Sequence, residues 1–332
     1  MSTAGPAAQP HEIVWTLTNN VIASRSLQVV AELGVADLIG DETVDVKQLA
    51  SACTADPDGL DRVLQLLTSH GIFERHTDGY RHTEASRLLC TDHPMSMRAL
   101  SRTMGMPVIR ASFDQLEHSV RTGSPAIELT AADGLWSYLI GHPEEAQIFG
   151  QAMTGRAAAD TAAVLGAYEF GRFDTIADIG GGHGHLLRAV LDAVPSAEGI
   201  LFDLPAVVET LDISRDRMTA RAGDFFVDPL PAADAYILME VVHDWPDAEA
   251  AAILTAIRRA ASPGARVLII ENVLGEEAHP RGHTLDVIML AVTGGRERTA
   301  KQLGGLLEGA GFTNSRVIET AGPLRIVESV AG

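Results

Sequence analysis

The sequence predicts an α/β protein in two parts: a doubly wound, mainly parallel sheet of the Rossmann-like kind, preceded by a helical, winged-helix-like domain. Three observations predict it. From Phe173 onwards short apolar runs alternate with helical patterns, as a parallel sheet covered by helices requires. One of those runs ends in the dense cluster Gly180-Gly181-Gly182-His183-Gly184. Before about residue 100, apolar residues recur mostly at helical spacing and lead to a hairpin signal at Asp78-Gly79.

Taken in order, Glu12 to Ile39 places Val14, Leu17, Val21, Ile22, Leu27, Val30, Leu33, Val35 and Leu38 at helical intervals, with Gly34 as a break. Asp45–Thr54 and Asp58–His70 read as short helices joined at Asp56-Pro57. Gly71-Ile72-Phe73 leads into a hairpin turned at Asp78-Gly79, with Tyr80–Thr83 as its return strand. Helix, helix, hairpin is the order of a winged-helix unit. Such units often bind DNA, but Leu60–His70 offers only Asp61 and Arg62 among charged residues, so packing or dimerisation is the better reading. Helical sequence continues from about Met97 to Leu165, broken at Gly123-Ser124-Pro125 and Gly141-His142-Pro143. Strands are expected at Thr175–Ile179, Gly199–Asp203, Met218–Ala222, Ala235–Met239 and Arg266–Asn272. Two more, near Arg316–Thr320 and Leu324–Ser329, suggest an antiparallel hairpin at the sheet edge. Helices fit at Leu186–Ala193, Ala248–Ala261 and Ala300–Ala310. This divides the chain into residues 1–100 and 101–332, with 101–170 as a helical linker bordering a substrate pocket.

The bulk numbers narrow the function. A chain of 332 residues, 46% hydrophobic and 21% charged, has material for a large core. With 25 basic and 44 acidic residues the formal charge is −19, which repels nucleic acid and anionic membranes and favours neutral or cationic small molecules. Cys53 and Cys90 lie near no second Cys or His at metal-ligand spacing, so neither a metal site nor a disulfide is expected, and a cytoplasmic setting fits. Met1 to Pro10 lacks the layout of a signal peptide, and no apolar stretch approaches a membrane span.

The glycine loop carries the first chemical signal. Asp178-Ile179-Gly180-Gly181-Gly182-His183-Gly184 follows an apolar strand and opens a helix, so backbone can approach a ligand closely. A dinucleotide fold wants G-x-G-x-x-G, but the third glycine would then fall at His185. An acid two residues before the first glycine would repel a pyrophosphate and suits the ammonium of an amino-acid cofactor. Acid-x-G-x-G-x-G is the pattern of folds that bind S-adenosylmethionine (SAM). Asp203 ends the next strand, where a carboxylate can accept both ribose hydroxyls; the alternative for Asp203 alone is a helix N-cap before Leu204-Pro205. Asp224, in Gly223-Asp224-Phe225-Phe226, can accept from an adenine amino group while Phe225 packs on the ring; alone it is equally a turn residue.

The fourth strand runs into Glu240-Val241-Val242-His243-Asp244-Trp245. A phenol titrates near pH 10, so a positioned histidine, ordinarily near 6.5, can take its proton as a methyl group is transferred. Glu271 and Glu297 are carboxylates available to orient it.

Together these residues resemble the metal-independent, SAM-dependent small-molecule O-methyltransferases, the family of plant caffeic acid and flavonoid enzymes and of bacterial enzymes that tailor aromatic antibiotics and polyketides. The likeness covers nearly the whole chain and rests on Asp178–Gly184, Phe202-Asp203-Leu204-Pro205, Gly223-Asp224-Phe225-Phe226, His243-Asp244-Trp245 and Gly294-Gly295-Arg296-Glu297-Arg298-Thr299. It implies a class I methyltransferase sheet with an N-terminal dimerisation domain, and a homodimer whose partner lends residues to the pocket. It implies that Gly180, Gly182 and their neighbours meet the methionine part of SAM, that Asp203 holds the ribose, and that Asp224, Phe225 and Trp245 hold the adenine. By the same likeness His243 is the general base, Glu271 and Glu297 flank it, and Phe149, Met153 and Met289 line the acceptor pocket. Core packing explains Phe149 equally well. Met239 stands where plant enzymes often carry a lysine, and Val292-Thr293 replaces a polar residue of their acceptor loop. The implied reaction is in-line methyl transfer to a hydroxyl of a small aromatic acceptor. Alternatives are N- or C-methylation or other SAM chemistry on the same scaffold, a ligand-sensing winged-helix regulator, and a nicotinamide dehydrogenase, which the glycine spacing disfavours.

Overall fold

The computed structural model describes residues 9–211, 217–275 and 280–332, so the N-terminal stretch read above lies almost wholly outside the described residues. Two compact units divide the chain, Met1–Met106 and Pro107–Gly332.

In the first unit α1 (Pro10–Leu33) ends where Gly34 turns left-handed, at φ +66°. α2 (Val46–Ala52) and α3 (Pro57–Ser69) start on aspartate caps: Asp45 accepts from Lys47 N and Asp56 from Gly59 N, each at 2.8 Å. β1 (Phe73–His76) and β2 (Gly79–His82) form the expected hairpin, pairing Phe73 with His82. The turn residues are Thr77-Asp78, and Gly79 already belongs to the return strand. Glycine is required there because Val44 bridges to Tyr80, and a Cβ on Gly79 would sit 2.1 Å from Val44 O. After α4 (Glu84–Arg87), α5 (Arg98–Gly105) returns to α1, with Arg98 Nε donating to Ala31 O at 2.9 Å and Arg102 Nε to Glu32 Oε2 at 2.8 Å. These bonds carry the unit to Met106 rather than to residue 100. Val30, Leu49, Leu64, Leu67, Phe73 and Tyr80 fill its core. The N-terminal half of α1 behaves differently: Ile13, Val14, Trp15, Leu17, Val21 and Ile22 are each at least 50% exposed.

The second unit opens with α6 (Pro107–Asp114), α7 (Leu116–Thr122), α8 (Gly134–Gly141) and α9 (Pro143–Ala167), interrupted at the two Gly/Pro breaks read from the sequence. Then β3 (Thr175–Ile179), α10 (His185–Ala193), β4 (Glu198–Asp203), α11 (Pro205–Val208), β5 (Met218–Ala222), β6 (Ala235–Met239), α12 (Asp247–Ala260) and β7 (Arg266–Glu271) alternate as expected. β8 (Val273–Leu274), α13 (Pro280–Val292), β9 (Arg298–Thr299), α14 (Ala300–Gly309), β10 (Phe312–Glu319) and β11 (Arg325–Ala331) complete the chain. The main sheet runs β10-β11-β7-β6-β3-β4-β5; β10 and β11 are antiparallel to their neighbours and the rest parallel. Both faces are covered. Val267 and Ile269 of β7 pack with Ile253, Leu254, Leu303 and Leu307 on one side, while Leu268 and Ile270 pack with Leu187 and Val190 on the other. β10 starts at Phe312, earlier than its apolar run suggests, because the register shift between Thr313 and Arg316 masks the alternation. Among the described residues no helix is long and apolar enough to cross a membrane.

Candidate active site

The strand order reverses between β3 and β6, and ligands of open α/β sheets bind beyond the carboxyl ends of strands at such a point. Past β3 the chain turns through Gly180, Gly182 and Gly184 at φ +70°, +56° and +72°, a conformation that is strained for other residues. Gly181 is needed for room: a Cβ there would lie 2.4 Å from Asp178 Cγ. A Cβ on Gly182 would instead meet open space. The loop is tied to the next strand, since Gly180 N donates to Phe202 O and Gly182 N to Asp203 Oδ2, both at 2.8 Å. Leu204 N donates to Asp203 Oδ1 at 2.7 Å, but the α11 N-cap is Leu204 itself, so Asp203 is not the helix cap that the sequence allowed. Each of its oxygens keeps a lone pair for a ligand hydroxyl. Asp178 is 2% exposed, and burial, followed by repulsion from Asp203, pushes its carboxyl up to about 7. Burial also raises Asp203. Asp224 is half-buried and does act in a turn, accepting from Phe226 N at 2.8 Å through Oδ1, which leaves Oδ2 for another donor.

Phe225 and Phe226 meet Trp245 edge-on, with centroids 5.8 and 4.7 Å away. Trp136 of α8 lies nearly parallel to Trp245 at 6.4 Å and meets Phe149 of α9 edge-on at 5.9 Å. A cavity of about 270 Å³ opens beside the two tryptophans, also lined by Val292 and Thr293. Phe149 and Met153 are half-buried, four residues apart on one face of α9. Met289, on α13, is 7% exposed.

At the ends of β6 and β7 three groups far apart in sequence converge. His243 sits in a helical turn just past β6, buried at 3% exposure. Its backbone N–H donates to Glu271 Oε1 at 2.9 Å, and its Nδ1 is bonded to Glu297 Oε1 at 2.8 Å. Asp244 Oδ1 stands 3.7 Å from Nε2. Both glutamates are at most 1% exposed. Burial disfavours the imidazolium, but Asp244, Glu297 and Glu271 outweigh it and lift His243 to about 10. Burial and then, against the pull of His243, the nearby Glu297 push Glu271 up to about 7. The surrounding backbone is clasped. Fully buried Arg298 donates to Val242 O and Trp245 O at 2.9 and 2.7 Å and pairs with Asp247 at 2.8 Å. Asp286 of α13 accepts from Glu297 N at 2.9 Å. Gly295 passes so near that a Cβ would lie 2.0 Å from His243 O.

Residues 113–313 match the model of the O-methyltransferase domain, and residues 15–92 match that of the O-methyltransferase dimerisation domain. The chain belongs to the O-methyltransferase family. A phenazine O-methyltransferase of Lysobacter antibioticus is 38% identical to it, over 92% of each chain. An 8-amino-8-demethylriboflavin N,N-dimethyltransferase of Streptomyces davaonensis is 38% identical, over 86% of this chain and 85% of its own. The solved structure of human N-acetylserotonin methyltransferase in complex with SAM gives a TM-score of 0.91 at 28% identity, covering 100% of both chains. The fold is that of class I methyltransferases, and S-adenosylmethionine is the cofactor of this methyltransferase. Among the methyltransferase's described residues, no cluster of His, Cys, Asp and Glu is arranged to hold a metal.

Sequence reasoning does not single out several residues of the methyltransferase site. Trp136 lies in a helix apolar on all sides, where periodicity cannot separate a pocket residue from a core one. Thr154 of α9 donates to Gly150 O at 2.9 Å, so its oxygen accepts from His185 Nε2 at 2.9 Å and His183 Nδ1 at 3.3 Å. That ties the helix bearing Phe149 and Met153 to the glycine loop. Arg298 and Asp244 stand inside recognised motifs, but only the fold shows what they touch.

Proposed function

We propose that this methyltransferase transfers the methyl group of SAM to a hydroxyl of a small aromatic natural product, with His243 as general base. The observation that carries the reading is the buried Nδ1–Glu297 bond of 2.8 Å. In the neutral imidazole that bond places the proton on Nδ1 and leaves the Nε2 lone pair for the acceptor hydroxyl. Glu271 holds the backbone of the same residue and so fixes where the ring stands.

The cofactor half fits SAM on its own chemistry. Asp178 is a buried acid with no ion pair among the described residues, suited to an incoming ammonium. Gly180 and Gly182 leave room for the methionine part, Asp203 has lone pairs for the ribose hydroxyls, and Asp224 Oδ2 with Phe225 and Trp245 suits the adenine. SAM brings an already activated methyl group, so the protein's task is to align the acceptor, exclude water and take its proton. Phe149, Trp136, Met153 and Met289 provide flat and thioether surface suited to an aromatic ring. The exposed apolar face of α1, within the matched dimerisation domain, supports a homodimer.

Calorimetric titration with S-adenosylhomocysteine tests the cofactor half: micromolar binding is expected, with Asp203→Ala losing it. Methyl transfer to a panel of phenols, with His243→Ala as control, tests the base. A second reading is N-methylation, favoured by the N,N-dimethyltransferase among the relatives. Offering matched phenols and anilines and locating the methyl group by NMR separates the two.

A further inference from the structure

The base cluster holds more negative charge than it can keep dry. Facing His243 are Glu271 from the end of β7, Glu297 from the segment before β9, and Asp244 from its own turn. The cation packed nearby is Arg298, paired with Asp247 at the start of α12. Asp286 of α13 accepts from the backbone N–H of Glu297. The outer oxygens of Glu271 and Glu297 are buried and have no hydrogen-bond partner among the described residues. With every group deprotonated, three carboxylates would stand around a neutral imidazole, two of them buried away from water, which is costly.

We propose that the His243–Glu271–Glu297 cluster holds a titratable proton in the cofactor-free protein and releases it to solvent when SAM binds, but not when S-adenosylhomocysteine binds. The proposal rests on the assignment of SAM chemistry to this site and of the base to His243. The physical reason is charge replacement. A base that takes the acceptor proton during transfer stands close to the sulfonium, so that positive charge does in the complex what the proton does without it. The balance is one proton to bulk solvent on binding. His243, then neutral, has Nε2 free for the acceptor proton, and as the methyl group leaves, the cofactor loses its charge while the imidazole gains one. S-adenosylhomocysteine has an uncharged thioether and displaces nothing. The upward shifts of His243 and Glu271 agree with a protonated resting cluster at neutral pH.

The test is calorimetry of the full chain at pH 7.5 with each ligand in phosphate and in Tris, whose ionisation enthalpies differ. Both ligands carry the same ammonium, so any proton leaving Asp178 cancels between them. The expected result is close to one more proton released with SAM than with S-adenosylhomocysteine. The affinity ratio should also shift in favour of SAM with rising pH, by up to tenfold per pH unit for one linked proton. His243→Asn should abolish both differences. If that variant does not fold, the pH dependence of the wild-type ratio decides alone. Equal proton counts and a flat ratio would overturn the proposal while leaving the cofactor assignment standing. Failure of both ligands to bind a folded protein would remove the assignment and the proposal with it.

Discussion

At the ends of β3 and β4 the acids meet backbone: Asp203 is held by Gly182 N and Leu204 N, and Asp178 stands without an ion pair among the described residues. At the ends of β6 and β7 the acids meet a side chain: Glu297 and Asp244 face the His243 ring, and Glu271 holds its backbone. The first arrangement leaves carboxylate capacity for a ligand to use. The second turns its acids inward, onto one ring and its backbone. On the proposed reading, neighbouring strand ends therefore separate holding a cofactor from doing proton chemistry.

His243→Ala breaks the comparison most severely. Catalysis should fall about 10²–10⁴-fold while S-adenosylhomocysteine affinity stays within a few-fold, the reverse of Asp203→Ala. Equal loss of binding in both variants would show that the halves are not separable.

Asp178→Asn sharpens the contrast through stability. The folded-state value of about 7 lies above the ordinary 3.8, so the folded protein binds the proton more tightly than the unfolded chain does. The wild type therefore loses stability as pH rises from about 4 through 7. The variant escapes that loss, gaining about 3–4 kcal/mol at pH 8 and little at pH 4 by denaturant titration. It should lose cofactor affinity at the same time.

The glycines differ in the same way. Gly295→Ala drives a Cβ into His243 O, a backbone atom that cannot swing aside, and should cost about 2–3 kcal/mol and disable the base. Gly182→Ala meets open space and faces only its positive φ, a cost of about 1–2 kcal/mol, with cofactor binding weakened more than folding. Equal midpoints for the two variants would contradict the contrast.

The cofactor half is the more legible in the sequence because it is local. Thr175–Ile179, Met218–Ala222 and Ala235–Met239 have the limits their apolar runs suggest, and the glycine spacing sits in a single turn. The base half is not local. Residues 28 and 54 positions from His243 come within 2.9 and 2.8 Å of it through the β6–β7 pairing and the small β8–β9 pairing, neither of which leaves a periodic trace. The family resemblance points to Glu271 and Glu297, but the ordinary histidine value near 6.5 gives no hint of the upward shift that the neighbouring carboxylates cause. α1 shows another limit: Val14, Leu17, Val21 and Ile22 at helical spacing announce a helix, yet the first unit leaves them exposed, because spacing does not say what will cover a face.

The clasp around the base is made from Arg298, Asp286 and Gly295, together with main-chain atoms of Val242, His243 and Trp245. Phe149 and Met153 contribute no side-chain hydrogen bond to it. On the proposed reading, exchanging either for another apolar residue is expected to reshape the acceptor wall while leaving the bonds around His243 in place. On that reading, acceptor preference is expected to shift by single substitutions in this wall while the arrangement of His243 and its carboxylates stays the same.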